Sequence, residues 1–527
     1  MSDTTVSSNG AWPGAAGSGA TGWAAASPAP RRWWILVVIA LAQLMIVLDA
    51  TIMNIALPSA QKSLNFSLAD RQWVVTAYAL AFGSLLLLGG KLSDLLGRKR
   101  TFVAGLIGFA TASAVGGASV NFTMLITARA CQGAFAALLA PSALSLLATT
   151  FTAPEDRRRA FGVYGAVAGA GGGVGLILGG LLTEYLSWRW CLYVNLVFAG
   201  VAVVGALTLI GKQVSWGKTR LDVPGALLVS GGMFCIVYGF SNVALHNWHT
   251  PSTWGFLVAG ALLLVAFVWW QTRAPAPLLP LSIVRNRNRG GAYVAMFLSG
   301  AGMFGVLLFL NYYMQQNLGY SPVRTGLAFL PMVVLTMTIT NISNVVLMPR
   351  TGPRPLVVLG MLLGAASAGL LTRLGIHSSY AADILPSIIL IGAGLGLIFA
   401  PVADTGTAGV ATQDTGVASA TVNTGNQLGG SIGTSLLNSL FASAVATYIA
   451  GNFAHGSVNG RPTPALSQAA LLHGYTTAFW WVMGIFALGA VVAGSLLRSG
   501  PLARYAPAES AQAPAWNQEL ATQPVAP

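Results

Sequence analysis

The sequence predicts an all-α polytopic membrane protein, and three observations carry that reading. Only 8% of its 527 residues are charged, against about 25% in ordinary soluble domains. Hydrophobic residues make up 55% of the chain and the mean hydropathy is +0.69. Apolar runs of about 20 residues recur throughout, each long enough to cross a hydrocarbon core of about 30 Å as a helix that satisfies its own backbone. A soluble body of this size could not cover itself with so few charges.

Read in order, the runs give fourteen spans. The first six lie at 33–57, 72–90, 101–119, 122–150, 160–182 and 190–210. Two more follow at 222–242 and 252–271, and six at 290–313, 325–348, 356–374, 383–403, 424–449 and 475–497. The fourth is long for one crossing, which implies tilt or an extension beyond the bilayer. The thirteenth is the least sharply bounded, because uncharged sequence runs from Thr415 to Ala454.

Charge placement tests the count. The formal net charge is +14, yet the basic residues are spread in short clusters between spans and form no dense nucleic-acid-binding face. With the N-terminus inside, 20 of the 27 basic residues fall on one side and 6 on the other, with Arg129 left within a span. That bias puts both termini in the cytoplasm. An omitted span would invert every later loop and spoil the agreement. Residues 1–32 and 498–527, rich in small and polar residues, read as disordered cytoplasmic tails. The first of them looks like a loose tail rather than a signal peptide. Cys131, Cys191 and Cys235 lie in apolar segments without metal-ligand spacing and imply neither a disulfide nor a metal site.

The chain also repeats itself weakly. Leu92, Gly97 and Lys99 have counterparts in Leu347, Gly352 and Arg354; Ala140 and Pro141 in Ala400 and Pro401; Gly171, Gly172 and Gly175 in Gly429, Gly430 and Gly433. Three blocks in one order at nearly equal displacement favour duplication. The resulting division is an N-terminal six-helix bundle at 33–210, two additional helices with their loops at 211–274, and a linker with a C-terminal six-helix bundle at 275–497. Duplicated helical halves around a midplane site suit alternating access, so transport leads the functional classes.

Asp49 lies deep in the first span, about 24 Å from its inner end at 1.5 Å per residue. An ionised carboxylate there is too costly to face lipid. It reads as a proton carrier or a contact for a substrate cation, with structural pairing as the alternative. Arg129 enters the fourth span at a similar depth and is its natural partner, unless its long side chain snorkels to the surface. Gln132, one turn away, can share a polar network with both. In the fifth span Gly165, Gly169 and Gly173 recur every four residues, as do Gly171, Gly175 and Gly179. Such faces admit another helix closely, as a moving or a static interface. No strand and no GKS or GKT ending accompany these glycines, so they are not a phosphate loop and give no reason to invoke ATP. In the loop GKLSDLLGRKR, Gly90 and Gly97 permit a tight turn and Arg98, Lys99 and Arg100 anchor the inner face. Asp94 suits a latch or a helix cap.

These motifs together resemble the major facilitator superfamily, specifically its fourteen-helix drug:proton antiporter branch of bacterial multidrug and antibiotic exporters. GKLSDLLGRKR is similar to the cytoplasmic signature, LITARACQGAFAALLAPS to the span-four proton-coupling motif, and GAVAGAGGGVGLILGG to the span-five antiporter motif. LDATIMNIALP, LSWRWCLYVN and TGVASATVNTGNQLGGSIGTSL add to the match, which covers roughly residues 33–497. The resemblance implies a major facilitator fold of two six-helix bundles plus two central helices. It assigns Asp49 and Arg129 to proton coupling; Gln132, from its place one turn from Arg129, is a possible substrate-cavity residue. Gly90, Asp94, Gly97 and Arg98 become the gating loop, and Gly165, Gly169, Gly173, Gly175, Gly179 and Gly180 the antiporter helix. Leu95 departs from the basic residue usual after the loop aspartate, and Asn195-Leu196-Val197 replaces a proline-containing ending.

The implied function is proton-coupled export of hydrophobic, monocationic or neutral, drugs or antibiotic-like metabolites, with no enzymatic activity and no cofactor. The partners are a small organic substrate, protons and the lipid bilayer of a bacterial plasma membrane; a monomer suffices. The charge preference rests on the absence of Asp and Glu from spans nine to eleven. Proton-coupled uptake of a small solute and a non-transporting scaffold or sensor are the alternatives.

Overall fold

The computed structural model describes residues 29–67, 70–151, 153–211, 222–246, 248, 250–275, 277–410, 415–458 and 461–500. Most of both tails, Lys212, Lys218, Arg220 and Asp414 lie outside these residues, as do the side chains of Asp94, Arg157 and Arg158.

Helices α1 (Ala29–Leu64), α2 (Trp73–Leu96), α3 (Arg98–Gly117), α4 (Phe122–Thr150), α5 (Pro154–Tyr185) and α6 (Trp190–Leu209) follow the first six runs. Helices α7 (Val223–His246) and α8 (Pro251–Gln271) form a hairpin, and the short α9 (Leu281–Arg285) leads into the second half. There α10 (Arg287–Tyr312) continues as a π-helical turn at Tyr313–Asn317. The tenth span is built from α11 (Pro322–Ala328), α12 (Leu330–Ile342), a π turn at Ser343–Leu347 and α13 (Met348–Thr351). Helix α14 (Pro353–Leu371), a π turn at Tyr380–Ile384 with α15 (Leu385–Thr407), α16 (Thr415–Gly456) and α17 (Pro464–Leu496) complete the chain. The thirteenth span therefore begins and ends well outside its expected bounds, because nothing charged interrupts it. A two-residue antiparallel pairing of Ser457–Val458 with Arg461–Pro462 closes the turn into α17.

Eleven of the described helical paths are long and apolar enough to cross a membrane by length and composition alone. The apolar part of α2 is shorter, and glycine or end charges dilute α3 and α5. These three are held by packing instead. Between α2 and α4 two glycines bring the backbones close: a Cβ on Gly89 would lie 1.9 Å from the Ala137 carbonyl oxygen, and one on Gly133 2.3 Å from that of Tyr78.

The duplication is visible in the packing. In the first half α2 and α3 pack on α4, α1 packs on α5 and α6, and α3 packs on α6. The second half repeats this with α12 and α14 on α15, α10 on α16 and α17, and α14 on α17. Gly97 and Gly352, the paired loop glycines, both adopt positive φ, +91° and +76°, which a side chain would strain. The halves meet through α2 against α16 and, symmetrically, α5 against α11 and α12. The helix hairpin joins them by setting α7 against both α2 and α16.

The helix ends define two faces. One carries the N-terminus of α1, the α2–α3 turn with Arg98, Lys99 and Arg100, and the end of α17; it is called the basic face below and its opposite the far face. Contacts across the halves gather toward the far face. Asn311 Nδ2 donates to the Asn54 carbonyl at 2.7 Å, Gln315 Nε2 to that of Ile55 at 3.1 Å, and the Val323 amide to Glu184 Oε2 at 3.0 Å. Toward the basic face α5 is uncovered: a Cβ on Gly162 or Gly165 would meet nothing within 4 Å.

Candidate functional site

Asp49 and Arg129 come together inside the first half. Asp49 is 0% exposed and Arg129 1%, and Arg129 Nη1 lies 2.6 Å from Asp49 Oδ2. The ion pair forms; Arg129 does not snorkel to the surface. Its position follows from where α1, α2 and α4 cross, since the glycine contact at Gly133 lets α4 press against α2 one turn from the guanidinium.

The pair is enclosed by a full set of polar partners. Gln132 accepts from Arg129 Nη1 at 2.9 Å and donates from Nε2 to Asp49 Oδ1 at 3.1 Å and to Ser113 Oγ at 2.5 Å. Asn195 Nδ2 donates to Asp49 Oδ1 at 2.8 Å and to Ser113 at 3.3 Å. Arg129 Nε donates to the Val74 carbonyl at 3.1 Å, and its guanidinium carbon lies 4.5 Å from the centre of the Tyr78 ring. The site thus takes one element from each of α1, α2, α3, α4 and α6. A buried ion pair needs further hydrogen bonds to offset its desolvation, and here residues of α2, α4 and α6 supply them to Oδ1 of Asp49 and to Nε and Nη1 of Arg129.

The sequence identified Asp49, Arg129 and Gln132. It missed Asn195, Ser113 and the Val74 carbonyl. Asn195 carried a usable signal, a lone amide in an otherwise apolar sixth span; Ser113, one small hydroxyl among several, carried none.

The glycines of α5 separate into two faces. Gly171, Gly175 and Gly179 lie against Val47, Thr51 and Ile52 of α1, within the first half. Gly173 and Gly180 lie against Val333 and Pro322–Val323, in the second half. Gly165 touches neither, so it is not a close-approach position in this conformation, and the surroundings of Gly169 fall outside the described residues. The loop also differs from expectation. Gly97 makes the turn, whereas Gly90 lies within α2, with Pro141 of α4 at 3.7 Å from a Cβ built on it. Helix α2 simply continues one more turn and a half than the loop reading assumed. Arg98 opens α3 beside the turn.

Among the described residues no group of three His, Cys, Asp or Glu residues is placed to hold a metal.

Two helical halves of like packing, with a buried ion pair inside the first, in a bundle of spanning helices suit a membrane transporter. The chain belongs to the Major Facilitator Superfamily, which it matches over residues 39–434. Its relatives include puromycin resistance protein pur8 of Streptomyces alboniger, 48% identical over 90% of this chain and 92% of the relative. The cephamycin export protein CmcT of Amycolatopsis lactamdurans is 39% identical over 76% of this chain and 83% of the relative. The tetracenomycin C resistance and export protein of Streptomyces glaucescens is 34% identical, covering 84% and 82%. The fold is shared with a bacterial homologue of the lysosomal transporter Spinster in an inward-facing, unoccupied conformation, at a TM-score of 0.61 and 15% identity over 89% of this chain and 97% of that one. The protein is therefore a multi-pass membrane transporter, and the three relatives named above are antibiotic resistance or export proteins.

Proposed function

We propose that this protein exports hydrophobic antibiotic-like molecules across a bacterial plasma membrane in exchange for protons, with Asp49 as the proton carrier. The observation that carries the reading is the Asp49–Arg129 pair, sequestered in one half, with both Asp49 oxygens accepting hydrogen bonds. Such a pair stores a charge that protonation removes, and only a conformational change can expose it. The basic face is cytoplasmic by the positive-inside bias, so the conformation described here is closed outside and uncovered inside. The export direction is supported by the named functions of the relatives, and neutral or monocationic substrates by the lack of acids in spans nine to eleven.

Inverted vesicles carrying the protein, energised by a pH gradient, test this with a panel of hydrophobic antibiotics. Substrate accumulation that collapses with the gradient and is absent in Asp49→Asn is the expected result. Accumulation of equal rate in Asp49→Asn, at equal expression, removes Asp49 as the carrier. Movement only in the opposite direction favours uptake instead.

A further inference from the structure

A second buried arginine stands at the far face, and it has no acid. Arg71 is 3% exposed and sits in the turn that leads directly into α2. Among the described residues no carboxylate pairs with it. Its Nε donates to Gln61 Oε1 at 2.7 Å, and Nη2 reaches the same oxygen. Gln61 is on α1, in the first half. The other face of the guanidinium belongs to the second half: its carbon lies 3.9 Å from the centre of the Tyr312 ring. With the amide oriented as its neighbours select, the Gln316 oxygen accepts from Nη1 at 3.2 Å and Nη2 at 2.5 Å, while its nitrogen donates to Tyr475 Oη at 3.3 Å. One side chain thus joins the two halves at the face that is closed.

The chemistry of this cage suits a reversible closure. A carboxylate would hold the cation tightly in the closed state. Neutral amides and an aromatic face hold it less tightly than a carboxylate would, so they favour the closed state without locking it. Buried arginine without a counter-ion is otherwise expensive, and here it occurs at a surface that must part in an alternating cycle.

Helix α2 links this cage to the proton site. Arg71 is one turn before Val74, whose carbonyl accepts from Arg129 Nε, and Tyr78, one turn further, lies under the Arg129 guanidinium. Between them Thr76 meets Thr434 of α16 at 3.3 Å, and its carbonyl accepts from Ser431 Oγ at 3.4 Å. The first two turns of α2 therefore touch the Asp49–Arg129 pair on one side and the seam between halves on the other. The charged or titratable groups around Asp49 are Arg129, Tyr78 and Cys191; those around Arg71 are Tyr312 and Tyr475.

We propose that Arg71 latches the far face shut in a cage of amides and aromatic rings, and that the first turns of α2 make this latch answer to the Asp49–Arg129 pair. Loss of charge at Asp49 frees Arg129 to shift its grip on Val74 and Tyr78, α2 moves, and Arg71 leaves Tyr312 and Gln316. Arg71 is a positioning residue in this account, touching neither substrate nor proton. The second half of the proposal rests on proton coupling at Asp49; the first does not.

The test uses the full chain in proteoliposomes, with Cys131, Cys191 and Cys235 replaced and spin labels at Val120 and His377. Both positions are exposed and lie in far-face loops of opposite halves. Distance distributions between the labels give the ratio of far-open to far-closed molecules. Arg71→Gln should raise that ratio on the order of tenfold, the scale of a desolvated cation–π contact with its hydrogen bonds. Arg71→Lys should recover part of the closed population, because it keeps the charge but loses the fork. Tyr312→Leu should shift the ratio the same way from the opposite half, and it decides the matter if the Arg71 variants fail to fold. Asp49→Asn should also raise the ratio, and by about threefold less when Arg71 is already Gln, the mark of coupled sites. An unchanged distribution in folded Arg71→Gln or Tyr312→Leu overturns the latch. Equal shifts by Asp49→Asn in both backgrounds overturn the link through α2. Asp49→Asn silent in both, with Arg71→Gln still active, overturns that link by removing proton coupling at Asp49 and leaves the latch standing.

Discussion

The Asp49–Arg129 pair makes a quantitative prediction, because its burial leaves each partner dependent on the other. Removing one charge strands its partner in a site enclosed by protein; breaking a buried pair in this way costs about 3–5 kcal/mol. Arg129→Met deletes the 2.6 Å contact to Asp49, the 2.9 Å contact to Gln132 and the 3.1 Å contact to Val74 at once. Gln132 and Asn195 still donate to Asp49, which keeps the loss toward the lower end of that range. Asp49→Asn leaves Arg129 with Gln132, the Val74 carbonyl and the Tyr78 ring, but presents an amide that fills the old acceptor position only in one orientation. The double variant strands no charge. It should therefore recover about 2 kcal/mol or more relative to the sum of the singles.

Unfolding of the four purified proteins in mixed micelles gives that coupling energy, and gradient-driven export by the same proteins in vesicles shows what the pair is for. Recovered stability with no coupled export is the expected pattern, since a neutral site packs but cannot carry a proton. Recovered stability with recovered export would show that the pair is structural. Singles that each cost under about 1 kcal/mol and add without interaction would refute the burial argument itself.

Other positions give simpler expectations. Gly175→Leu should damage folding, because its Cβ would fall 2.0 Å from Thr51 Oγ1 and 3.1 Å from the Leu48 carbonyl; thermal stability in detergent reads this directly. Gly173→Leu faces only the Val333 side chain, at 2.8 Å, so it should fold and instead slow turnover in proteoliposomes while leaving substrate binding within about twofold. Asp222→Ala should destabilise the α7–α8 hairpin by about 1–3 kcal/mol, because Trp270 Nε1 at 2.6 Å, Gln271 Nε2 at 2.7 Å and the Gly225 amide at 2.9 Å all lose their acceptor. Unchanged unfolding of that variant would show the hairpin to be held by apolar packing alone. Reporter fusions after residues 65, 215 and 460 should read outside, inside and outside; an inside signal at 460 would break the orientation drawn from the basic residues.

What the sequence disclosed depended on how rare a residue is in its surroundings. A carboxylate and a guanidinium within apolar spans are conspicuous, and so Asp49 and Arg129 were legible, even to their similar depth. The helices were legible because each must be apolar over a bilayer's thickness. Asn195 was half legible, and Ser113 not at all, since a small hydroxyl in a membrane helix is usually satisfied by its own backbone. The division of the α5 glycines into an α1 face and a second-half face was hidden because both sets have the same spacing; only rotation about the helix axis tells them apart. In the sequence Arg71 is only one of the six basic residues on the outer side, since a charge at a span's end looks solvated until the partner half covers it.

The enclosure of Asp49 also changes the expected relation between substrate charge and coupling. A substrate cation that contacted Asp49 would compete with protons at this carboxylate. In the geometry described, Oδ2 is held by Arg129, and Oδ1 by Gln132 and Asn195, so a cation must displace a guanidinium that also donates to Gln132 and to the Val74 carbonyl. A proton needs no such space, and an uncharged substrate needs no carboxylate. Competition between substrate and proton, if measured, should therefore be strong only for molecules that favour the opposite conformation, whatever their charge, and a matched series of neutral and monocationic amphiphiles should show nearly equal proton antagonism. A monocation that antagonises protons about tenfold more strongly than its neutral counterpart, with the difference abolished in Asp49→Asn, would mean that the site opens to the cavity in a state where Arg129 has let go.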